Sequence, residues 1–166
     1  LNNSMRTMDF VNGVGAKFVE DFFGMDNAQV AGPNVDSFNS AFQARFNADS
    51  KGPGVHTQYD AVMVIALAMN IASELDGTAI RDAVRKVHAP DGTTVGTGPA
   101  EYRKALELIK AGKPIKYNGA TGPIEFDANG DVTGPALVWK IKDGKLETDR
   151  VISIEEMQAL PNEGEG

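Results

Sequence analysis

A long apolar segment in the first half of the chain strongly limits the folds open to it. Nearly every residue from Tyr59 to Ser73 is apolar. The longest apolar run is Ala61 to Ala72, which has about 12 residues and contains one polar residue, Asn70. A helix that crosses a bilayer needs about 20. A helix that is apolar on nearly every face is typically buried between a sheet and its neighbours. The segment therefore predicts a buried helix within a layered α/β fold.

The order of the remaining elements leaves this helix without a sheet to cover. Apolar residues at helical spacing predict three further helices, which begin near Val35, at Thr78 as the cap, and at Pro99. Gly112 is predicted to end the last of them in a left-handed conformation. The strand patterns lie in a short opener around Leu1 and in the final third, Ile115 to Met157. Four helices need a sheet to pack on. We therefore interpret the chain as lacking the central parallel sheet of its own fold.

A run of oxygen-bearing side chains in the final third has the spacing that begins a calcium loop. Asp127, Asn129 and Asp131 stand at positions 1, 3 and 5 of an EF-hand motif. Position 6 must be glycine and is Val132, and position 12 must be a bidentate glutamate and is Val138. The sequence therefore predicts no calcium site, and we interpret this stretch as scaffold.

The same stretch contains two patterns that are typical of strands entering tight turns. Ile124 and Phe126 alternate with polar residues before Asn129-Gly130, and Leu137 to Ile141 alternate in the same way before Asp143-Gly144. A further alternating run predicts a strand through Val151, Ile152 and Ile154, and the acidic tail PNEGEG is predicted to be disordered.

Composition excludes several classes of function. The net charge is −7 and no cluster of lysine and arginine is present, which argues against nucleic acid as a partner. The absence of cysteine removes disulfides, zinc thiolates and a thiol nucleophile. The sequence contains no phosphate loop, nucleophile elbow or complete dinucleotide fingerprint, so that it implies no cofactor. The opening LNNSMRTMDF has neither a basic flank nor an apolar signal core, which predicts either a cytosolic protein or a processed or trimmed piece, and the start without methionine favours the piece.

Six segments, taken in order, resemble the C-terminal part of the type I periplasmic substrate-binding proteins of ABC transporters, the class of the leucine/isoleucine/valine-binding protein. The segments are LNNSMRTMDFV, FNSAFQARFN, YDAVMVIALAM, IRDAVRKV, YRKALELIKAGKPIKYNGATGPIEFDANGDV and ALVWKIKDGKL. Members of that family have two α/β lobes with parallel sheets, joined by hinge crossings, so the resemblance implies that the fold is incomplete in this chain. It implies that residues 1–27 belong to the second lobe, that 28–134 form the C-terminal part of the first, and that 135–166 are the hinge return and second-lobe strands with the tail.

The resemblance also implies a set of ligand contacts. An acidic side chain of the second lobe pairs with the ligand's ammonium group in amino-acid-binding relatives, and the matching position here is Asn3. A second contact region precedes the buried helix and matches Gly54, Val55 and His56, with Gly54 standing at the place of an aromatic wall. A neutral amide cannot form the charged pair, so the resemblance implies a solute without an obligatory ammonium group.

The function implied is that of a solute-binding component of an ABC uptake transporter, with a periplasmic or extracytoplasmic location. It would bind a small amino-acid-like, carboxylate or amide solute between its lobes and deliver it to a permease, without catalysis. The alternatives are the ligand-binding ectodomain of a sensor with the same fold, or an α/β enzyme fragment. A further expectation is that the chain buries its apolar helix against the missing N-terminal portion or against a second copy, through Val62, Ile65, Ala66 and Met69.

Overall fold

The chain forms two compact units in the computed structural model, which describes residues 1–50 and 52–159. The first unit contains Leu1–Ala28, the short segment that ends at Gly54 and the chain from Thr133 onward, and the second contains Gln29–Ser50 and Val55–Val132. The tail PNEGEG, for which disorder was predicted, lies outside the described residues.

Seven α-helices and five strands make up the regular structure of the described residues. The helices are α1 (Met8–Val14), α2 (Ala16–Val19), α3 (Pro33–Phe46), α4 (Val55–Ile71), α5 (Gly77–Val84), α6 (Pro99–Lys110) and α7 (Ile154–Gln158), with short 3₁₀ helices at Asn3–Met5 and Arg85–Val87. The strands are β1 (Phe23–Asn27), β2 (Thr93–Val95), β3 (Ile115–Tyr117), β4 (Ala136–Lys142) and β5 (Lys145–Ile152). No helix in this part of the chain is long and apolar enough to span a bilayer.

The first unit is built on an antiparallel sheet with the strand order β1-β4-β5. The alternating side chains of β4 place Trp139 and Ile141 on one face, where they pack against Val11 of α1 and Val19 of α2. All four side chains are almost completely buried. This small core holds the two N-terminal helices to the C-terminal hairpin.

The hairpin between β4 and β5 turns at Asp143-Gly144, as the sequence predicted. Both residues have positive φ, 50° and 68°, which is the geometry of a two-residue turn whose twist matches the strands. The carboxylate of Glu20 accepts hydrogen bonds from the backbone N–H groups of Asp143 at 2.8 Å and Gly144 at 3.2 Å. These donors lower the pKa of Glu20, since they favour the charged carboxylate.

In the second unit α4, α5 and α6 share one core with a short parallel pair, β2 and β3. Helix α4 begins at Val55, earlier than the predicted start at Tyr59, and supplies Val64, Leu67 and Ala68 to the core. The full core is Val64, Leu67, Ala68, Ala83, Val87, Val95, Ala105, Ile115, Tyr117 and Ile124. Within the described residues α4 is covered on one side only, and the uncovered side is also apolar.

One predicted strand is absent from the structure, and another ends earlier than predicted. Ile124 and Phe126 form no strand, because Ile124 packs into the core of the second unit and the backbone has only an isolated bridge between Asn118 and Pro123 nearby. The alternating run through Ile154 is also wrong at its end, where α7 begins at that residue.

Two helices begin at caps that the sequence contains but that were not predicted. Helix α5 is capped by Asp76 and not by Thr78, since the Asp76 carboxylate accepts from the N–H groups of Thr78 and Ala79. Helix α7 begins with a capping box, in which Ser153 and Glu156 exchange side-chain and backbone hydrogen bonds. The prediction for α6 is confirmed, from Pro99 at its start to Gly112 with a φ of 66° just beyond its end.

Candidate functional site

The four predicted contact residues are divided between the two units. Asn3 lies in the first unit, in the 3₁₀ helix Asn3–Met5, and Gly54 is also assigned to that unit. Val55 and His56 are the first residues of α4 in the second unit.

Asn3 offers an uncharged amide that is half buried. The backbone carbonyl oxygen of Asn3 accepts a hydrogen bond from the N–H of Arg6 at 2.9 Å, which closes the short helix. Among the described residues, its side chain makes no hydrogen bond, whereas the neighbouring Asn2 accepts from the Ser4 hydroxyl at 2.7 Å. The Asn3 side chain can therefore donate and accept hydrogen bonds, but it carries no charge.

An ion pair that sequence reasoning missed anchors this helical turn. Arg6 Nη1 lies 3.1 Å from Asp26 Oδ2 of β1, and the Asp26 side chain is only 5% exposed. Arg6 and Asp26 are far apart in the sequence, and neither belongs to a recognisable motif. The pair fixes the turn that carries Asn3 to the edge of the sheet.

His56 is buried and its ring is held by a polar network. Its Nε2 lies 2.7 Å from Asn39 Oδ1, which also accepts from the Ser50 hydroxyl at 2.6 Å. The ring packs against Phe38 with the centroids 4.8 Å apart. Because a carboxamide oxygen only accepts, Nε2 carries the proton in this arrangement.

The environment of His56 favours its neutral form. Burial lowers the pKa of His56, while the charges of Asp60 and Asp49 act in the opposite direction without reversing the shift. The imidazole is therefore neutral at pH 7, with its one N–H directed to Asn39.

Gly54 and Val55 stand where the loop enters helix α4. Gly54 has a φ of 75°, a conformation that side-chain-bearing residues rarely adopt. Val55 is half buried and lines an apolar groove of about 610 Å³ in the second unit, which we call the aromatic groove. Its walls are Ser37, Phe38, Ala41, Phe42, Arg45, Phe46, Val55, Tyr59, Met63, Thr97, Gly98, Pro99 and Tyr102.

One buried carboxylate in α4 was missed entirely by the sequence analysis. Asp60 is 3% exposed and accepts hydrogen bonds from the Tyr117 hydroxyl, from the N–H groups of Ala120 and Thr121, and from the Thr121 hydroxyl. Burial, and then the Asp60 charge, raise the pKa of Tyr117 far above its ordinary value, so the phenol stays protonated and donates. An ionisable residue in an otherwise apolar helix was the available signal.

The acidic turn that begins at Asp127 is held by the protein itself. Its Oδ1 accepts hydrogen bonds from the three following backbone N–H groups, residues 129–131, at 2.8 to 2.9 Å. These donors, led by that of Asp131, lower the pKa of Asp127. The Arg85 guanidinium donates to the carbonyl oxygens of Asp127 and Ala128. No cluster of three or more His, Cys, Asp or Glu residues in the described part of the chain could hold a metal ion.

Comparison with known proteins places this geometry in a family. A family model described as the receptor family ligand binding region matches residues 2–144. The chain is 24% identical over 144 residues to BasB, a substrate-binding protein of a chemotactic signal transduction system in Halobacterium salinarum, covering 77% of this chain and 34% of that protein.

Two solved structures have a similar fold. The leucine-binding protein LivK of Thermotoga maritima superposes with a TM-score of 0.63 at 19% identity, over 93% of this chain and 37% of that one. LivJ of Streptococcus pneumoniae, a branched-chain amino acid transporter substrate-binding protein in complex with isoleucine, gives 0.57 at 16% identity, over 92% and 35%. The chain therefore spans about a third of the length of these relatives and has the fold of part of a type I periplasmic binding protein. On the match that extends over residues 2–144, it belongs to the family of receptor ligand binding regions.

Proposed function

We propose that the complete protein binds a small solute between two lobes and that this chain supplies part of each. The division of the chain into two compact units, with boundaries after Ala28 and Val132, is the observation that carries the proposal. The lobes that we propose have bounds close to these: residues 1–27 and 135–166 form the second lobe and 28–134 the first, although the segment that ends at Gly54 groups with Leu1–Ala28. Closure of the lobes on the solute would be a population shift driven by tighter binding to the closed state.

We infer that the site binds its solute and does not transform it. The relatives are described as binding proteins, and the sequence contains no motif of a nucleophile with its base. Function would then lie in the difference between open and closed forms, which a second protein can read.

The proposed contacts are Asn3 in the second lobe, and Gly54, Val55 and His56 in the loop before α4 and in its first turn. None of the four carries a formal charge at pH 7, because His56 is held neutral by burial. A hydrogen bond to a charged group contributes about 1.5–3 kcal/mol and one between neutral groups about 1. We therefore propose a solute without an obligatory ammonium group, such as a carboxylate, an amide or an aromatic acid.

The partner that reads the closed form is proposed to be an ABC permease, with the protein located in the periplasm or outside the cytoplasmic membrane. LivJ is named as part of a transporter, which supports uptake. BasB is named as part of a chemotactic system, which supports a sensing role as the second candidate. Solute uptake and chemotaxis, measured in cells with and without the gene, separate the two.

Calorimetric titration of the complete protein tests the ligand class. The panel contains leucine, isoleucine and valine, together with the corresponding carboxylic acids and amides and with aromatic acids. We expect binding of at least one solute without an ammonium group, and tight binding of leucine or valine would overturn the assignment.

A charge substitution at Asn3 sharpens the same experiment. Asn3→Asp is expected to shift the preference toward ammonium-bearing solutes by about 0.5–2 kcal/mol, the difference between charged and neutral hydrogen bonds. Asn2→Asp is the matched control, since it adds the same charge at the adjacent, exposed position. An equal shift in both variants would mean that Asn3 does not contact the solute.

A further inference from the structure

The buried carboxylate of Asp60 joins three separate parts of the second unit. Its Oδ1 accepts from the Tyr117 hydroxyl of β3 and from the N–H of Ala120, both at 2.8 Å. Its Oδ2 accepts from the N–H of Thr121 at 2.8 Å and from the Thr121 hydroxyl at 2.7 Å. Four donors meet one carboxylate that is 3% exposed, so its charge is compensated entirely by hydrogen bonds among the described residues.

The turn that follows β3 is shaped to approach this carboxylate. A Cβ atom on Gly119 would lie 2.2 Å from Asp60 Oδ1 and 2.5 Å from its Cγ. Gly122 has a φ of 120°, and a Cβ there would lie 2.8 Å from Val30 Cβ. Only glycine fits at these two positions, which means that the turn is pressed against α4 on one side and against Val30 on the other.

The turn after β3 also bonds to the segment at which the second unit begins. The carbonyl oxygen of Thr121 accepts a hydrogen bond from the N–H of Val30 at 3.0 Å. Val30 follows Gln29, the first residue of the second unit after the chain leaves Leu1–Ala28. Hydrogen bonds therefore connect α4 to the unit boundary in two steps, from Asp60 to Thr121 and from Thr121 to Val30.

We propose that Asp60 is a positioning residue that makes the start of α4 and the crossing segment at Gln29 and Val30 one rigid body. Helix α4 begins with Val55 and His56, two of the proposed ligand contacts, so a displacement of these contacts is carried to the crossing. This inference rests on the proposed function, because a crossing matters as a hinge only in a protein whose lobes close.

The chemistry of the site explains why an amide does not replace the carboxylate. If Asn at this position directed its NH₂ to the Oδ1 site, the Tyr117 hydroxyl could turn and accept, but the N–H of Ala120 would face another donor. If the NH₂ took the Oδ2 site, the Thr121 hydroxyl could accept, but the Thr121 N–H would face a donor. Either orientation leaves one buried backbone N–H without an acceptor.

Residue-resolved hydrogen exchange of the complete protein, without any solute, tests the proposal. Asp60→Asn is expected to raise exchange at the amides of Ala120, Thr121 and Val30 by about tenfold or more, the fold-change that corresponds to one unsatisfied buried N–H. The amides of α6 and of the β2–β3 pair should keep their protection. The matched control is Asp82→Asn, an exposed aspartate of α5 in the same unit.

Two milder variants keep the test informative if Asp60→Asn does not fold. Tyr117→Phe and Thr121→Val each remove a single donor to the carboxylate and should raise exchange at the same three amides by a smaller factor. A uniform rise across the second unit, or unchanged exchange at Val30, would overturn the proposal. Because no solute is present, this result is independent of the titrations that test the proposed function.

Discussion

The uncovered side of α4 allows the sharpest test of whether this chain is part of a larger body. Val62, Ile65 and Met69 are 67%, 46% and 41% exposed, which together equals about one and a half fully exposed side chains. At about 1.5–3 kcal/mol for each side chain that is fully buried, covering this side would contribute about 2–5 kcal/mol. The notable feature is that these residues stand back to back with the buried Val64, Leu67 and Ala68 on one helix.

Substitution of Ile65 by lysine distinguishes a side of α4 that faces solvent from one that is covered by the rest of the protein. In the isolated chain Ile65→Lys should leave the free energy of unfolding nearly unchanged, since lysine is a good helix former, and should reduce self-association. In the complete protein it should cost about 2 kcal/mol or more, because a covering surface would bury the ammonium group. Denaturant unfolding and sedimentation measure the two effects.

The control lies on another helix of the same unit. Gln43→Lys places the same side chain at an exposed polar position of α3 and should have little effect in either protein. Two results would refute the reasoning: an Ile65→Lys variant of the complete protein as stable as the wild type, or an isolated wild-type chain that remains a compact, cooperatively melting monomer at every concentration.

Two further outcomes concern the acidic turn and the buried histidine. Thermal unfolding of the complete protein should be the same in excess chelator and in calcium, because Asp127 Oδ1 already accepts three backbone N–H groups; a calcium ion at 100 times its dissociation constant would instead add about 2.7 kcal/mol. The free energy of unfolding should fall as the pH drops below about 6.5, since the unfolded state then binds a proton that His56, with its lowered pKa, does not bind until lower pH. His56→Gln should remove that part of the pH dependence, and an identical pH profile for the variant would contradict it.

Local patterns predicted those elements whose signal lies within a few residues. Helix α6 was predicted from Pro99 and Gly112, and the last hairpin from Asp143-Gly144, because the residue at such a position must itself adopt the required backbone angle. The capping box of α7, Ser153 with Glu156, is an equally local signal. It was missed because the alternating apolar residues Ile152 and Ile154 favoured a strand there.

Contacts between distant residues could not be predicted in the same way. The buried Asp60 accepts a hydrogen bond from Tyr117, which is 57 residues away in the sequence. No local pattern around either residue indicates that the two are in contact. Arg6 and Asp26 are a similar case. The predicted strand at Ile124 and Phe126 failed because alternation records which side chains face inward, whereas a strand also needs a neighbouring backbone to pair with.

The hydrogen bonds between Glu20 and the turn of the β4–β5 hairpin affect how the chain folds during synthesis. Glu20 and the two turn residues are 123 and 124 positions apart, and β1 pairs with β4 across a similar distance. The whole of the second unit lies between β1 and β4 in the sequence, so the ribosome completes that unit before the partner strand of β1 exists. Until then β1 displays Phe23 and Met25 beside an unpaired edge, which is a site for misassociation. Slower translation after Val132 therefore lengthens the time during which the edge of β1 is unpaired, before β4 is synthesised.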